Sequence, residues 1–317
     1  MNKPYLSVVI PVYNESENLE QLYQRLIATL DKGNKSYEII FINDGSRDDS
    51  YEQLNALQKR RPKQIRVIHF HGNFGQHMAV MAGFERVKGE VIITLDADLQ
   101  NPPEEIANLL CSIDEGHDYV GGVRKNRQDT FFRRYASKLN NWLRYKITKI
   151  RLSDQGCMLR AYRRSLIDLM ISSKETSLFI PAQAYSLSTN PTEIEVAHDI
   201  RRAGASKYNI YRLLRLNFDL MTGFSLLPLQ VFTMLGLLIS VLSSFFVVYM
   251  LLRRFAVGPE AEGVFTLFAI VFFLMGIVLM GLGIMGEYIG RIYQEVRHRP
   301  RYVIKEVIDV ENQGKPS

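Results

Sequence analysis

Asp96 and Asp98 stand one residue apart at the end of an apolar, β-branched run, Val-Ile-Ile-Thr-Leu, at 91–95. Such a run, bounded by polar residues, reads as a buried strand of a parallel sheet. Alternation along an extended chain sends both aspartates to one side and Ala97 to the other. In open α/β sheets ligands bind beyond the carboxyl ends of the strands, where this pair would sit. Two hard oxygen donors at the rim of a cleft suit Mg²⁺ or Mn²⁺ carrying a diphosphate. The competing reading is a strand-end turn in which the side chains cap backbone N–H groups. Glu15, shortly after an apolar run at 6–11, and Asp44, after one at 37–42, repeat the pattern of an acid at a strand end. Together they fit a nucleotide crevice, with carboxylates accepting from ribose hydroxyls or base N–H. Neither G-x-G-x-x-G nor G-x-x-x-x-G-K occurs after a strand, so the dinucleotide and P-loop modes of phosphate binding are excluded.

The elements that must position these residues alternate. Strands are expected at 6–11, 37–42, 65–70, 91–95 and 119–123. Helices are expected from about 16 to 32, from about 50 to 60, over 75–87, and from the Pro102-Pro103-Glu104-Glu105 start onward. That alternation predicts an α/β fold with a doubly wound, mostly parallel, Rossmann-like sheet.

The 317-residue chain carries a net charge of +6. Lys and Arg cluster at 124–151, 201–215 and 291–305, a distribution that suits phosphate ligands and an anionic lipid surface. No nucleic-acid motif is present. Residues 228–252 and 264–285 contain no charged side chain, and each is long enough to cross a bilayer as a helix. The short link at 253–263 makes them a hairpin, and the flanking Arg and Lys put both ends in the cytosol. Ile210, Leu213, Leu214, Phe218 and Met221 share one helical face, as in a helix lying on the bilayer. Residues 1–5 lead straight into a strand with no signal-peptide apolar region. Cys111 and Cys157 lack metal or redox spacing and are expected as a buried, reduced pair. The expected organisation is a catalytic domain at 1–205, a juxtamembrane helix at 206–227, two spans at 228–290 and a cytosolic segment at 291–317.

Three motifs carry a family resemblance: Ser-Val-Val-Ile-Pro-Val-Tyr-Asn-Glu at 7–15, Asn-Asp-Gly-Ser-x-Asp-x-Ser at 43–50, and Asp-Ala-Asp-Leu-Gln-Asn-Pro-Pro-Glu-Glu at 96–105. They resemble the inverting family 2 glycosyltransferases of GT-A fold, and within these the polyprenyl-phosphate glycosyltransferases related to dolichyl-phosphate mannose synthase. Segments 73–77, 123–129, 157–164 and 286–291 extend the likeness along nearly the whole chain. The resemblance implies a nucleotide-diphosphate sugar donor, UDP-linked, with Pro11, Tyr13, Glu15 and Asp44 around base and ribose. It implies Asp96 near the nucleotide, Asp98 as the metal-binding acid, and Gln100 beside the Mg²⁺ or Mn²⁺. Two departures stand out: Asn43 where many relatives carry Asp, and Ala205 in place of a Glu.

On the acceptor side, Arg133 and Ser137 lie four apart and could grip one phosphate from one helix face. They match an Arg and a Ser that bind the lipid phosphate in the family, with Arg124 a third contact. The alternative is a solvated basic face on the anionic leaflet. Arg201 and Lys207, in a stretch similar to the family's R-x-x-G-x-S-K, would close over the donor diphosphate. Asp154 reads equally as a contact to sugar or acceptor and as a plain turn. His77 reads as a packing residue at a helix start, and Glu287, Arg291, Gly286 and Gly290 as structural.

The implied reaction is inverting transfer to undecaprenyl or another polyprenyl phosphate, at the cytosolic face of a bacterial inner membrane, by a homotetramer, for modification of lipid A or another surface glycan. A phosphate nucleophile is already anionic, so no strong general base is needed. A processive polysaccharide synthase would carry Q-x-x-R-W, and the only tryptophan, Trp142, follows Asn140-Asn141 instead. A non-catalytic membrane scaffold that binds nucleotide sugars is the other alternative. A formamido-arabinose, a hexose and an amino-hexose all fit as the sugar.

Overall fold

The computed structural model describes residues 3–124, 153–154, 156–173, 179–198, 227–257, 264–296 and 300–310. The chain divides into two compact units, one holding a sheet and the other a pair of long helices.

In the sheet unit the central strand is β1 (Leu6–Val12), buried at every residue. Continuous burial demands cover on both faces, which a parallel sheet provides through its crossover helices. β2 (Tyr37–Asn43) and β4 (Val91–Thr94) flank β1 in parallel, and β3 (Ile65–Phe70) adds to β2. The crossovers are α1 (Ser16–Lys32), α2 (Ser50–Arg60) and α3 (Gln76–Phe84). α1 buries Leu19, Leu22, Leu26, Ile27 and Leu30, a three-and-four spacing that lays one stripe on the sheet. α3 lies close to the sheet: a Cβ on Gly83 would overlap the Val9 side chain. These elements match the expected ones closely.

After a 3₁₀ turn (Pro103–Glu105), α4 (Ile106–Asp114) leads to β5 (Tyr119–Arg124). Then come β6 (Arg160–Arg163), α5 (Arg164–Ser172), α6 (Ile180–Leu187), β7 (Pro191–Val196) and finally β8 (Ile304–Ile308). The strand order is β7-β5-β6-β4-β1-β2-β3-β8. β6 runs antiparallel to both β4 and β5, and β8 antiparallel to β3, so the sheet is mixed. β6, β7 and β8 were not among the expected strands. β6 is four residues of Arg-Ala-Tyr-Arg, β7 opens on Pro and alternates with Glu, and β8 is a half-exposed edge. None has the long apolar run that marks a central strand. Cys111 corrects another expectation: it is exposed, because α4 turns Ile106, Leu109, Ser112 and Ile113 inward. Cys157 is buried, and both thiols are free.

The helical unit contains α7 (Leu227–Val257) and α8 (Val264–Val296). The helices touch where Phe232 packs against Gly281, a position where a Cβ would overlap the ring. Large apolar side chains point outward along both, including Phe245 at 70% exposure and Phe273 at 69%. Within α8, Ile270–Gly290 is long and apolar enough to cross a membrane, and α7 holds a shorter apolar stretch, Leu229–Ile239.

Candidate active site

The strand-end acids gather beyond β1, β2 and β4, as the parallel register requires. β4 ends at Thr94, and Asp96 and Asp98 are both partly exposed while Ala97 between them is buried. The alternation expected of the pair is therefore present. Leu99 follows with a φ of +61°, a left-handed conformation that is strained for a bulky residue. Such strain is held in place by the surrounding structure and is concentrated at functional sites. Asn14, beside Glu15, is left-handed as well, at φ +55°.

Asp96 accepts a hydrogen bond from Gln76 Nε2 at 2.5 Å, so the first residue of α3 braces the acid. Burial pushes Asp96 up to about 7, the charges of Asp98 and Glu15 push the same way, and Arg124 and Arg160 oppose them. Asp98 gives one oxygen to the Gln100 backbone N–H at 3.1 Å. The turn reading of the pair is thus met at Asp98, which does cap an amide. Among the described residues no group of three or more His, Cys, Asp or Glu could hold a metal alone. Two carboxylates with a neighbouring Gln suit Mg²⁺ or Mn²⁺, ions that keep waters and complete their shell with substrate phosphates.

The motif at 43–50 has a structural job in nearly every polar position. Asn43 Oδ1 accepts from Ser46 N–H at 2.9 Å, and Ser46 Oγ from Asn14 N–H at 3.0 Å. Asp48 takes the amides of Ser16 and Ser50, and Ser50 Oγ that of Glu15. Asp44 is 2% exposed and accepts from the N–H groups of Phe74 (2.7 Å) and Gly75 (2.9 Å). Burial raises the Asp44 carboxyl, and these two bonds partly offset it. Gly45, at φ +68°, has the Gly72 backbone 2.5 Å from where its Cβ would be, so only glycine fits. Asp44 therefore ties the β2 end to the loop before α3. Pro11 is buried within β1 in register with Ile42, Tyr13 projects at 42% exposure, and Glu15 accepts from Asn18 Nδ2 at 2.7 Å.

On the far side of the Asp96–Asp98 turn the chemistry changes sign. Arg124, at the end of β5, donates through Nε (2.5 Å) and Nη2 (2.8 Å) to the buried carboxylate of Asp154. Burial would raise Asp154, but the hydrogen bonds and charge of Arg124 hold it below the usual carboxylate range. Arg160, fully buried, donates through Nε to the Cys157 carbonyl and through Nη2 to the Asp154 carbonyl, both at 2.7 Å. Its Nη1 bonds the Tyr119 hydroxyl. Arg160 and Asp154 thus form a frame behind Arg124. Sequence reasoning left Arg160 and Gln76 without roles, although both lie in segments that carry the family likeness. The signal was an Arg in an otherwise apolar stretch, Cys157-Met158-Leu159. His77 packs its ring edge-on against Phe179 at 5.2 Å, and burial holds it down at about 4, as a packing residue would be. Arg133, Ser137, Arg201 and Lys207 lie outside the described residues, as does the amphipathic stretch 210–221.

Comparison with known proteins identifies the family. The family model described as "Glycosyl transferase family 2" matches residues 7–170. The undecaprenyl-phosphate 4-deoxy-4-formamido-L-arabinose transferase of Edwardsiella ictaluri is 47% identical over 306 residues, covering 96% of this chain and 94% of the relative. The transferase of the same name from Shewanella sediminis is 45% identical over 309 residues, covering 97% and 93%. Among solved structures, the Mycobacterium tuberculosis glucosyl-3-phosphoglycerate synthase in complex with Mn²⁺, UDP and glucosyl-3-phosphoglycerate is 15% identical with a TM-score of 0.49. That match covers 69% of this chain and 78% of the synthase. With its acids gathered at parallel strand ends, its mixed GT-A sheet and relatives matched along nearly its full length, the chain belongs to glycosyl transferase family 2 and is a glycosyltransferase.

Proposed function

We propose that this glycosyltransferase moves a sugar, with inversion, from a nucleotide-diphosphate donor, UDP-linked, to undecaprenyl or another polyprenyl phosphate. The observation that carries the reading is the 47% identity over 96% of the chain to a transferase named for undecaprenyl phosphate. Its name also makes 4-deoxy-4-formamido-L-arabinose the first sugar to test. The product would serve modification of lipid A or another surface glycan. Tyr13, Glu15 and the Asp44 loop would border the nucleotide. Asp96, Asp98 and Gln100 would hold Mg²⁺ or Mn²⁺, which when bound would offset charge developing on the departing diphosphate. Arg124, fixed by Asp154, would draw an anionic oxygen into line, with Arg133 and Ser137 completing the acceptor phosphate site and Arg201 and Lys207 closing on the donor. Positioning and electrostatics would supply most of the rate, because the attacking phosphate needs no deprotonation.

The outward apolar side chains of α7 and α8 support two membrane spans, with the catalytic unit on the cytosolic face of a bacterial inner membrane. The resemblance adds a homo-oligomer, a tetramer. The test uses full-length protein in detergent with Mg²⁺ or Mn²⁺, undecaprenyl phosphate and a panel of nucleotide sugars. Lipid-linked product that depends on the lipid phosphate is expected. Donor binding with no transfer from any donor would favour the non-catalytic scaffold.

A further inference from the structure

Behind the β2 end, His69 of β3 lies between two amides. Its Nδ1 is 3.0 Å from Asn43 Nδ2 and its Nε2 is 2.9 Å from Asn55 Oδ1. The ring is 1% exposed, and Tyr51 covers it with ring centroids 4.0 Å apart. The amides decide the tautomer. Asn43 Oδ1 is already engaged by the Ser46 N–H, so Asn43 offers its NH₂ to His69, and Nδ1 must be the acceptor. Nε2 then carries the proton and donates to Asn55.

We propose that His69 is a positioning residue for the donor-binding turn, kept in the Nε2–H tautomer so that bare Nδ1 holds the Asn43 amide and Asn43 Oδ1 stays on Ser46. The inference rests on the donor reading of this crevice. It also gives the departure at position 43 a physical cause. An Asp there would face the Nδ1 lone pair with a carboxylate and would require a proton on that nitrogen. Asn and neutral His are therefore a matched pair in this chain. Protonated His69 would set N–H against N–H, and Asn43 could turn its oxygen inward only by releasing Ser46, whose hydroxyl holds Asn14.

The groups facing the ring are Asn43 from β2, Tyr51 and Asn55 from α2, and Lys305 and Glu306 from β8. Tyr51 donates to Glu306 Oε2 at 2.8 Å, and Lys305 lies over the Tyr51 ring at 5.1 Å. Burial lowers His69 to about 4, with Glu306 opposing and Lys305 reinforcing the shift. The neutral form is therefore the working form at pH 7.

The test is ¹⁵N-histidine NMR on the full-length protein in detergent, with the His69 signal assigned from a His69→Gln spectrum. Wild type is expected to show a protonated Nε2 and a bare Nδ1 at pH 7. Asn43→Asp is expected to lift the His69 midpoint above 6.5, because a carboxylate can accept from both Nδ1–H and Ser46. An Nδ1–H tautomer in wild type, or an unmoved midpoint in Asn43→Asp, overturns the proposal. UDP is the binding probe. His69→Phe should weaken UDP binding on the order of fivefold, about one hydrogen bond, and in sugar transfer should raise the donor KM with kcat unchanged. His69→Gln, whose amide oxygen can accept from Asn43, should recover part of that loss. Unchanged UDP affinity in His69→Phe overturns the positioning role. Wild-type protein that binds no nucleotide overturns the donor reading itself, and with it the role, while the tautomer is still decided by the resonances.

Discussion

The two sides of the crevice manage charge in opposite ways. On one side burial, reinforced by the charges of Asp98 and Glu15, pushes Asp96 up to about 7. On the other, Arg124 meets Asp154 in a two-point ion pair, and Asp154 is driven down. Carboxylates crowded in this way gain from a cation placed between them. The second arrangement is complete within the protein and gains geometry rather than charge balance from Arg160 behind it. On the proposed reading, the first side receives a ligand's counter-ion and the second holds one guanidinium still.

The largest effect should come from breaking the acidic side. Asp98→Ala should lower turnover on the order of 10³-fold, about 4 kcal/mol, with thermal stability unchanged. Steady-state rates beside a melting curve check this, and full activity would remove Asp98 from the metal site.

On the other side, Asp154→Ala removes the two-point carboxylate that holds Arg124. We expect a cost of about 3 kcal/mol in denaturant unfolding of the folded protein, and a loss of transfer alongside it. Asp154→Asn, which keeps the shape but not the charge, should fall between wild type and Ala. This sharpens the comparison, because the corresponding change at Asp98 should affect turnover alone.

Acid tests the histidines that lie behind both sides. His69 and His77 are each lowered to about 4 from an ordinary 6.5, so the unfolded chain takes up their protons first. Their contribution is intact above pH 6.5 and is lost as pH falls from there towards 4. For each it amounts to about 3 kcal/mol. Melting temperature followed from pH 7.5 to 4.5 should drop, and should drop less in His69→Gln.

Gly45→Ala places a side chain at φ +68° against the Gly72 backbone and should cost about 2 kcal/mol, read by the same melting curve. The smallest effect belongs to a surface pair. Arg25 and Glu104 meet at 2.8 Å with their side chains 28% and 54% exposed. Breaking that pair should change stability by less than about 0.5 kcal/mol, and a cost as large as that of Asp154→Ala would mean that surface charge matters as much here as at the crevice.

Much of the acidic side was legible from residue order, because it depends on a simple rule: an apolar strand ends and an acid follows. β1, β2 and β4 obey it, through Glu15, Asp44 and the Asp96–Asp98 pair. The cationic side was not legible in that way. Arg124 and Asp154 are 30 residues apart in sequence, and Arg160 sits in a four-residue antiparallel strand whose letters look polar. Their contact depends on β6 inserting between β4 and β5, a long-range event with no local signature. β8 was missed for the same reason, since a short alternating edge strand looks like surface until its partner is known. The motif at 43–50 was read for its ligands, whereas most of its side chains hold backbone amides of the neighbouring loop. Asp44 is the clearest case, recognisable from sequence as part of the site but not as the anchor of Phe74 and Gly75.

On the proposed reading, the crowded acids at the end of β4 receive a diphosphate only together with a divalent cation. Calorimetric titration of UDP into the full-length protein, with Mn²⁺ present or with EDTA, tests it directly, beside Asp98→Asn. The account predicts tight binding by wild type with Mn²⁺, little binding in EDTA, and a loss of the difference in Asp98→Asn. Equal affinity for UDP with and without the cation in the wild-type protein would contradict it.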